Sequence, residues 1–188
     1  MNLNIPYMET DNKLLNDAYR IAAGDIVGNI VYYQNGLLTE EKPCMIAGLD
    51  YNTPWTRDTA INIWNALSIL SPEVSKNTLL AVLEEEEGNI YIGGQYWDSI
   101  IWMIGAREYC RFHKDDYFYR LAFEAGRNSV HRLEEGEFDE EDGLFRGPAV
   151  YGDGIAAYPD KYSKCPNQGS GILEWVDYPG NPVYPKGY

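Results

Sequence analysis

Along most of the first 133 positions apolar side chains recur at three- and four-residue intervals, the spacing of one helix face. The alternation expected of a half-buried strand is almost missing. A first stripe of Leu14, Leu15, Ala18, Ile21, Ala22 and Ile26 predicts a helix over about residues 10–34, with Thr10 or Asp11 at its N-cap. Gly24 and Gly28 inside it suit close helix approach but weaken the helix. Residues 35–54, with Gly36, Pro43 and Gly48, read as a long loop. A second helix begins near Thr56 or Asp58 and runs through AINIWNALSIL to Leu70. Ser71-Pro72 ends it, because the proline ring disfavours helix at the residue before it. Ser75 or Asn77 caps a short third helix through TLLAVLEEEE, whose Glu84–Glu87 run opposes the helix dipole and reads as a frayed, solvated end. A fourth, about 96–112, is apolar almost all round and so is buried on more than one side. A fifth covers about 115–133, with Phe118, Leu121, Ala125 and Val130 in its stripe. From Glu134 onward the pattern fades into a Gly-, Pro- and Tyr-rich stretch, with weak helical signal around Ile155 to Tyr158.

The expectation is an all-α chain of antiparallel helical hairpins in one domain, 1–188, with a loop-rich end over 134–188. No repeat of fixed period is visible, which disfavours a tetratricopeptide-like array. Composition narrows the function. With 15 basic against 29 acidic side chains the net charge is −14, the wrong sign for a phosphate backbone. Nucleic acid is excluded as an expected partner. A 45% apolar share buries enough surface to offset ordering, so disorder is excluded too. No window approaches the length of a membrane span, and the first residues lack the basic and apolar regions of a secretory signal. Cys44, Cys110 and Cys165 are odd in number and widely spaced, which predicts reduced thiols in a cytoplasmic chain, with no metal site and no cofactor.

Long helix–helix connections are unusual, and function concentrates in such loops. Three of them hold the densest polar–aromatic sequence: AGLDYNTPWTRDT, NIYIGGQYWDS and DGLFRGPAVYGDG. Trp55, Arg57 and Asp58 bring a stacking face, a fork of donors and an acceptor to one loop–helix junction. A sugar ring, apolar on its face and hydroxylated at its edge, needs those three together. The alternative is structural, with Asp58 as a helix cap and Trp55 as a core residue. Trp97 and Asp98 repeat the arrangement after Gly93-Gly94, with the same alternative.

These segments resemble the six-hairpin glycosidases, the (α/α)6-barrel superfamily of glucoamylases, glycogen-debranching glucosidases and processing α-glucosidases. TPWTRDTAINIWNAL is similar to the WTRD segment of glucoamylases, where Arg and Asp hold the sugar before the scissile bond. YWDSIIWMIGAREYCRFHKDDYFYRLAFEAGRNSV resembles the next hairpin of the debranching and processing enzymes. EFDEEDGLFRGPAVYGDGIAAYPDKY resembles the loop that carries their general acid. The resemblance implies that Arg57 and Asp58 bind sugar hydroxyls, that Trp55 flanks the ring, and that Trp97 and Asp98 line the same cleft. It implies Asp153 as general acid, with Asp160 and Asp142 as rivals, although glucoamylases carry a Glu pair there. The acidic run Asp139–Asp142 lacks the alternating ligand spacing of a calcium loop and reads as a solvated turn.

Twelve helices with their loops take roughly 300 residues. Five helices and part of a sixth therefore predict about half of an (α/α)6 toroid, with the general base beyond position 188. The expected activity is inverting acid/base hydrolysis of an α-glucoside or oligosaccharide, in which two carboxyls stand on either side of the bond. A non-catalytic sugar-binding domain, or a helical interaction module, is the alternative. Helix faces left uncovered by absent helices predict a homo-oligomer.

Overall fold

The structure is a computed structural model. It describes residues 5–48, 51–94 and 98–145, together with the backbone at 147–148 and 186–187. The elements are α1 (Lys13–Gly28), β1 (Ile30–Tyr33), β2 (Lys42–Met45) and α2 (Thr56–Asn62), which continues through a π-helical turn (Ile63–Leu67) into α3 (Ser68–Leu70). Then come α4 (Pro72–Ala81), β3 (Leu83–Glu86), β4 (Asn89–Ile92), α5 (Asp98–Phe112) and α6 (Asp116–Glu137). Four two-residue strands close the series: β5 (Phe138–Asp139), β6 (Leu144–Phe145), β7 (Gly147–Pro148) and β8 (Lys186–Gly187).

The fold is therefore mixed, not the expected all-α half-toroid. Antiparallel two-stranded sheets, β1–β2, β3–β4 and β5–β6, are set among the helices, and β7 pairs with β8. Two local causes explain the difference. First, α1 stops at Asn29 because Ile30, Val31, Tyr32 and Tyr33 are β-branched and aromatic, types that suit a pleated surface. They pair with Lys42–Met45 in the stretch expected to be loop, Ile30 opposite Met45. Second, the glutamate run is a strand. Leu83 and Ile92 face each other in the core, and Glu84, Glu85 and Glu86 stay exposed opposite Tyr91, Ile90 and Asn89. The turn needs two left-handed residues, and Glu87 (φ 52°) and Gly88 (φ 81°) supply them.

Smaller boundaries also move. Asn12, not Thr10 or Asp11, caps α1, its Oδ1 accepting from the Leu14 and Leu15 amides at 3.0 and 3.3 Å. Helix α4 starts at Pro72, whose fixed φ suits a first helical position, so Ser75 and Asn77 lie inside it. The second helix runs to Leu70 as expected, but the π-helical turn inserts one residue. In that turn Asn65 Nδ2 donates to the Ile61 carbonyl at 2.8 Å.

The chain divides into two compact units, Met1–His131 and Arg132–Tyr188. The core of the first unit gathers Ile63, Leu67, Val74, Leu79, Leu83, Trp102 and Phe118, all essentially fully buried. Trp102 keeps its indole N–H satisfied by donating to the Leu79 carbonyl at 3.3 Å, and Tyr109 meets Phe118 edge-on with centroids 5.0 Å apart. Helix α4 is tied to β2 through Thr78, whose hydroxyl donates to the Val74 carbonyl (2.6 Å) and accepts from the Met45 amide (3.0 Å). The Ile92 amide of β4 donates to Ser129 Oγ of α6 at 2.9 Å. Helix α1 buries no residue. Helices α2 and α5 meet where Gly105 faces Ala60: a Cβ at 105 would lie 2.8 Å from Ala60 Cα. In the second unit Asp139–Asp142 forms the turn of the β5–β6 hairpin, with Asp139 Oδ1 accepting from the Glu141 amide at 2.9 Å.

Cys44 and Cys110 are free thiols. Burial pushes Cys44 up to about 12 and Cys110 above its ordinary value, so both are poor nucleophiles at neutral pH. Among the described residues no helix is long and apolar enough to cross a membrane.

Candidate functional site

Helix α2 begins where the extended Trp55 (φ −95°, ψ 136°) follows the buried Pro54. Trp55 holds the N-cap position without a side-chain cap, and its carbonyl accepts from the Thr59 amide at 2.8 Å. Asp58 is thus in the first helical turn and exposed, not the cap that the structural alternative required. Its carboxylate lies at the positive end of the helix dipole, which stabilises it by about 0.3–1 kcal/mol.

Asp98 is the first residue of α5, and its side chain is only 5% exposed. An ionised carboxylate buried that far requires a partner. Arg57, one-third exposed, supplies it: its Nε donates to Asp98 Oδ1 at 3.0 Å. Beside this pair Thr56 Oγ1 donates to the Gly93 carbonyl at 2.8 Å. Gly94 takes φ +113°, and a Cβ there would lie 2.8 Å from Thr56 Oγ1 and 2.9 Å from Asp98 Oδ2. Only glycine fits both the backbone and the space. Together with the Ala60–Gly105 approach, these contacts show that α2 and α5 run in the same direction, with their N-terminal ends joined.

Trp55 is partly buried and meets Tyr51 edge-on, centroids 6.2 Å apart at 83°. Its indole nitrogen is buried and has no hydrogen-bond partner among the described residues. The arrangement therefore offers an exposed carboxylate on Asp58, a guanidinium oriented by a buried carboxylate, and aromatic rings beside them. Such a set can accept from and donate to vicinal hydroxyls. Among the described residues no group of three or more His, Cys, Asp or Glu side chains is placed to hold a metal ion.

Of the residues expected at the site, Arg57 and Asp98 are in direct contact, and Trp55 and Asp58 stand on the same turn. Trp97 and Asp153 lie outside the described residues, as does the weak helix expected over 155–158. The contact between Asp98 and the Arg57 guanidinium was not anticipated from the sequence. Sequence reasoning also passed over Thr56 and Gly94. The signal available was the Gly93-Gly94 pair, which marks a tight backbone approach as well as a loop. No family model, no curated protein and no solved structure matches the chain.

Proposed function

We propose that this chain grips an α-glucoside at the joined N-terminal ends of α2 and α5, as part of an inverting glycoside-hydrolysing site. The observation that carries the reading is the Arg57–Asp98 ion pair. It unites two Trp- and Asp-bearing motifs 41 residues apart in sequence at one place. Asp58 accepts from ring hydroxyls, Arg57 donates to them, and Trp55 packs against the ring edge. Asp98 is a positioning residue that fixes the direction of the guanidinium. By resemblance Asp153 is the proton donor to the leaving oxygen, a task that needs a carboxyl still neutral at working pH.

Titration with malto-oligosaccharides, followed by Trp fluorescence, tests the grip. A saturable change is expected, and Asp58→Asn or Arg57→Ala weakens it by about 1.5–3 kcal/mol, the scale of a hydrogen bond to a charged group. Thermal unfolding of the same variants separates binding from folding: Asp58→Asn costs no more than about 1 kcal/mol of stability. An absent fluorescence change in the parent chain, or unaltered affinity in both variants, overturns the reading. For the acid, Asp153→Asn loses activity on a disaccharide while retaining it on a glucoside with an activated leaving group. Equal loss on both substrates removes Asp153 from the role.

A further inference from the structure

Helices α5 and α6 are joined by three residues, 113–115, and so lie antiparallel. Their register is fixed at one end, where a Cβ on Gly126 would stand 2.6 Å from Met103 Sδ. Seven residues (about two turns) further along α5, and as many back along α6, Cys110 comes level with Tyr119. Between these levels the side chains that line the gap are small, Ala106 and Ala122. Two methyl groups do not fill the space spanned by Met103, Cys110 and Tyr119, and a cavity of about 170 Å³ is left between the helices. Fully buried Trp102 lines it too. On the α6 side Phe123 joins Tyr119, and these rings are 64% and 59% exposed, so the cavity is open to solvent past them.

An apolar cavity of about 150 Å³ stays dry and takes up a molecule the size of benzene. The α5–α6 cavity has that size, and its lining selects among such molecules. Three rings and the sulfur atoms of Met103 and Cys110 surround it. They favour an aromatic guest, which gains edge-to-face and sulfur contacts that an alkyl chain does not. The remaining lining residue is Arg107. It is exposed, and an arginine so placed lays its apolar stem along the wall and keeps its charged head in water. Arg57 and Arg111 are paired with Asp98 and Glu108, whereas Arg107 makes no ion pair or hydrogen bond among the described residues. On a chain of 29 acidic and 15 basic side chains, a cation left free beside an apolar cavity matches a ligand that brings its own negative charge. The planar guanidinium fork fits a carboxylate, through two parallel N–H···O bonds.

We propose that the α5–α6 cavity binds a small aromatic carboxylate, its ring against Ala106 and Ala122 and its carboxylate on Arg107. The cavity shares no residue with the Arg57–Asp98 site, and the proposal does not rest on the glycoside reading. Calorimetric titration of the parent chain at low salt, with 3-phenylpropionate as the probe, tests it. Saturable binding is expected, about fivefold tighter than that of 3-phenylpropanol, which has the ring without the charge. Hexanoate, which has the charge without the ring, binds more weakly too. Arg107→Gln removes the preference over the alcohol and keeps the binding of the ring. Ala122→Leu fills the cavity and loses both ligands. No saturable binding by the parent chain, equal affinity for 3-phenylpropionate and either of the other two, or undiminished binding in Ala122→Leu overturns the proposal. Should Ala122→Leu fail to fold, as circular dichroism reports, the rate of Cys110 alkylation in the parent chain, read by mass spectrometry, takes its place. 3-Phenylpropionate slows that alkylation, and an unchanged rate is equally contrary.

Discussion

Replacing Gly105 by alanine tests the close approach of α2 and α5 on which the site depends. The new Cβ would stand 2.8 Å from Ala60 Cα, 3.0 Å from its carbonyl oxygen and 3.2 Å from its Cβ. Two of these three atoms are backbone, so no side chain can swing aside, and α2 and α5 must separate. Overpacking of this kind costs about 1–3 kcal/mol. Alanine returns up to about 1 kcal/mol through its better helix propensity. The net is a loss of about 1 kcal/mol, or roughly 2–4 °C in Tm for a chain of this size. Gly24→Ala is the internal control. It makes the same chemical change inside an exposed helix where nothing lies within 4 Å of the added Cβ. There only the propensity acts, and the expected result is a gain of about 0.5–1 kcal/mol. Thermal unfolding by far-ultraviolet circular dichroism measures both. Opposite signs for the two alanines are required; a Gly105→Ala chain as stable as the parent, or more so, refutes the close crossing.

Two further outcomes follow from single polar contacts. Thr78→Val removes the hydroxyl that accepts from the buried Met45 amide and leaves that donor unsatisfied, at about 1–3 kcal/mol, while Thr78→Ser keeps the acceptor and costs less. Equal losses in a denaturant titration of the two variants contradict the assignment. Asp115 caps α6 and is held below its ordinary value by the Lys76 ammonium and by the Phe118 amide. Its folded pKa is the lower one, so its contribution is complete above the ordinary carboxylate value of 3.8 and is lost as pH falls through the folded value. Asp115→Asn is therefore less stable than the parent at neutral pH, by about 1 kcal/mol, and the gap closes in strong acid. Parallel pH profiles of Tm speak against the cap.

Helical periodicity located α2, α5 and α6 because each has a buried stripe that the core enforces, from Ile63 and Leu67 to Phe118 and Ala125. It failed where a strand is only four residues long. In LEEE the alternation is hidden, since Leu83 alone is buried, and the preceding helical stripe runs straight into it. The IVYY segment showed its β-branched and aromatic character, but the helix read through it because its partner, Lys42–Met45, carries a proline and no alternation. At the site, WTRD and the Asp that opens α5 could be seen as donors, acceptors and rings. That Asp98 is buried against Arg57 could not, because burial depends on how two segments 41 residues apart approach each other. Gly94 and Gly105 were visible only as glycines; which atoms press against them is a tertiary fact.

The π-helical turn at Ile63–Leu67 gives α2 one residue more than a regular helix of the same length would hold. Because the wide turn absorbs that residue, the faces before and after it stay in register: Thr59 and Ala60 ahead of it, Ile63 at its start, and Leu67 and Ser68 at its end are all buried. Were the same sequence wound as a regular helix, every residue beyond the turn would be rotated by about 100°. Leu67 and Ser68 would leave the core, and the corner at Ser71-Pro72, from which α4 departs, would point elsewhere. The width of a single turn thus sets the direction in which the chain enters its next helix.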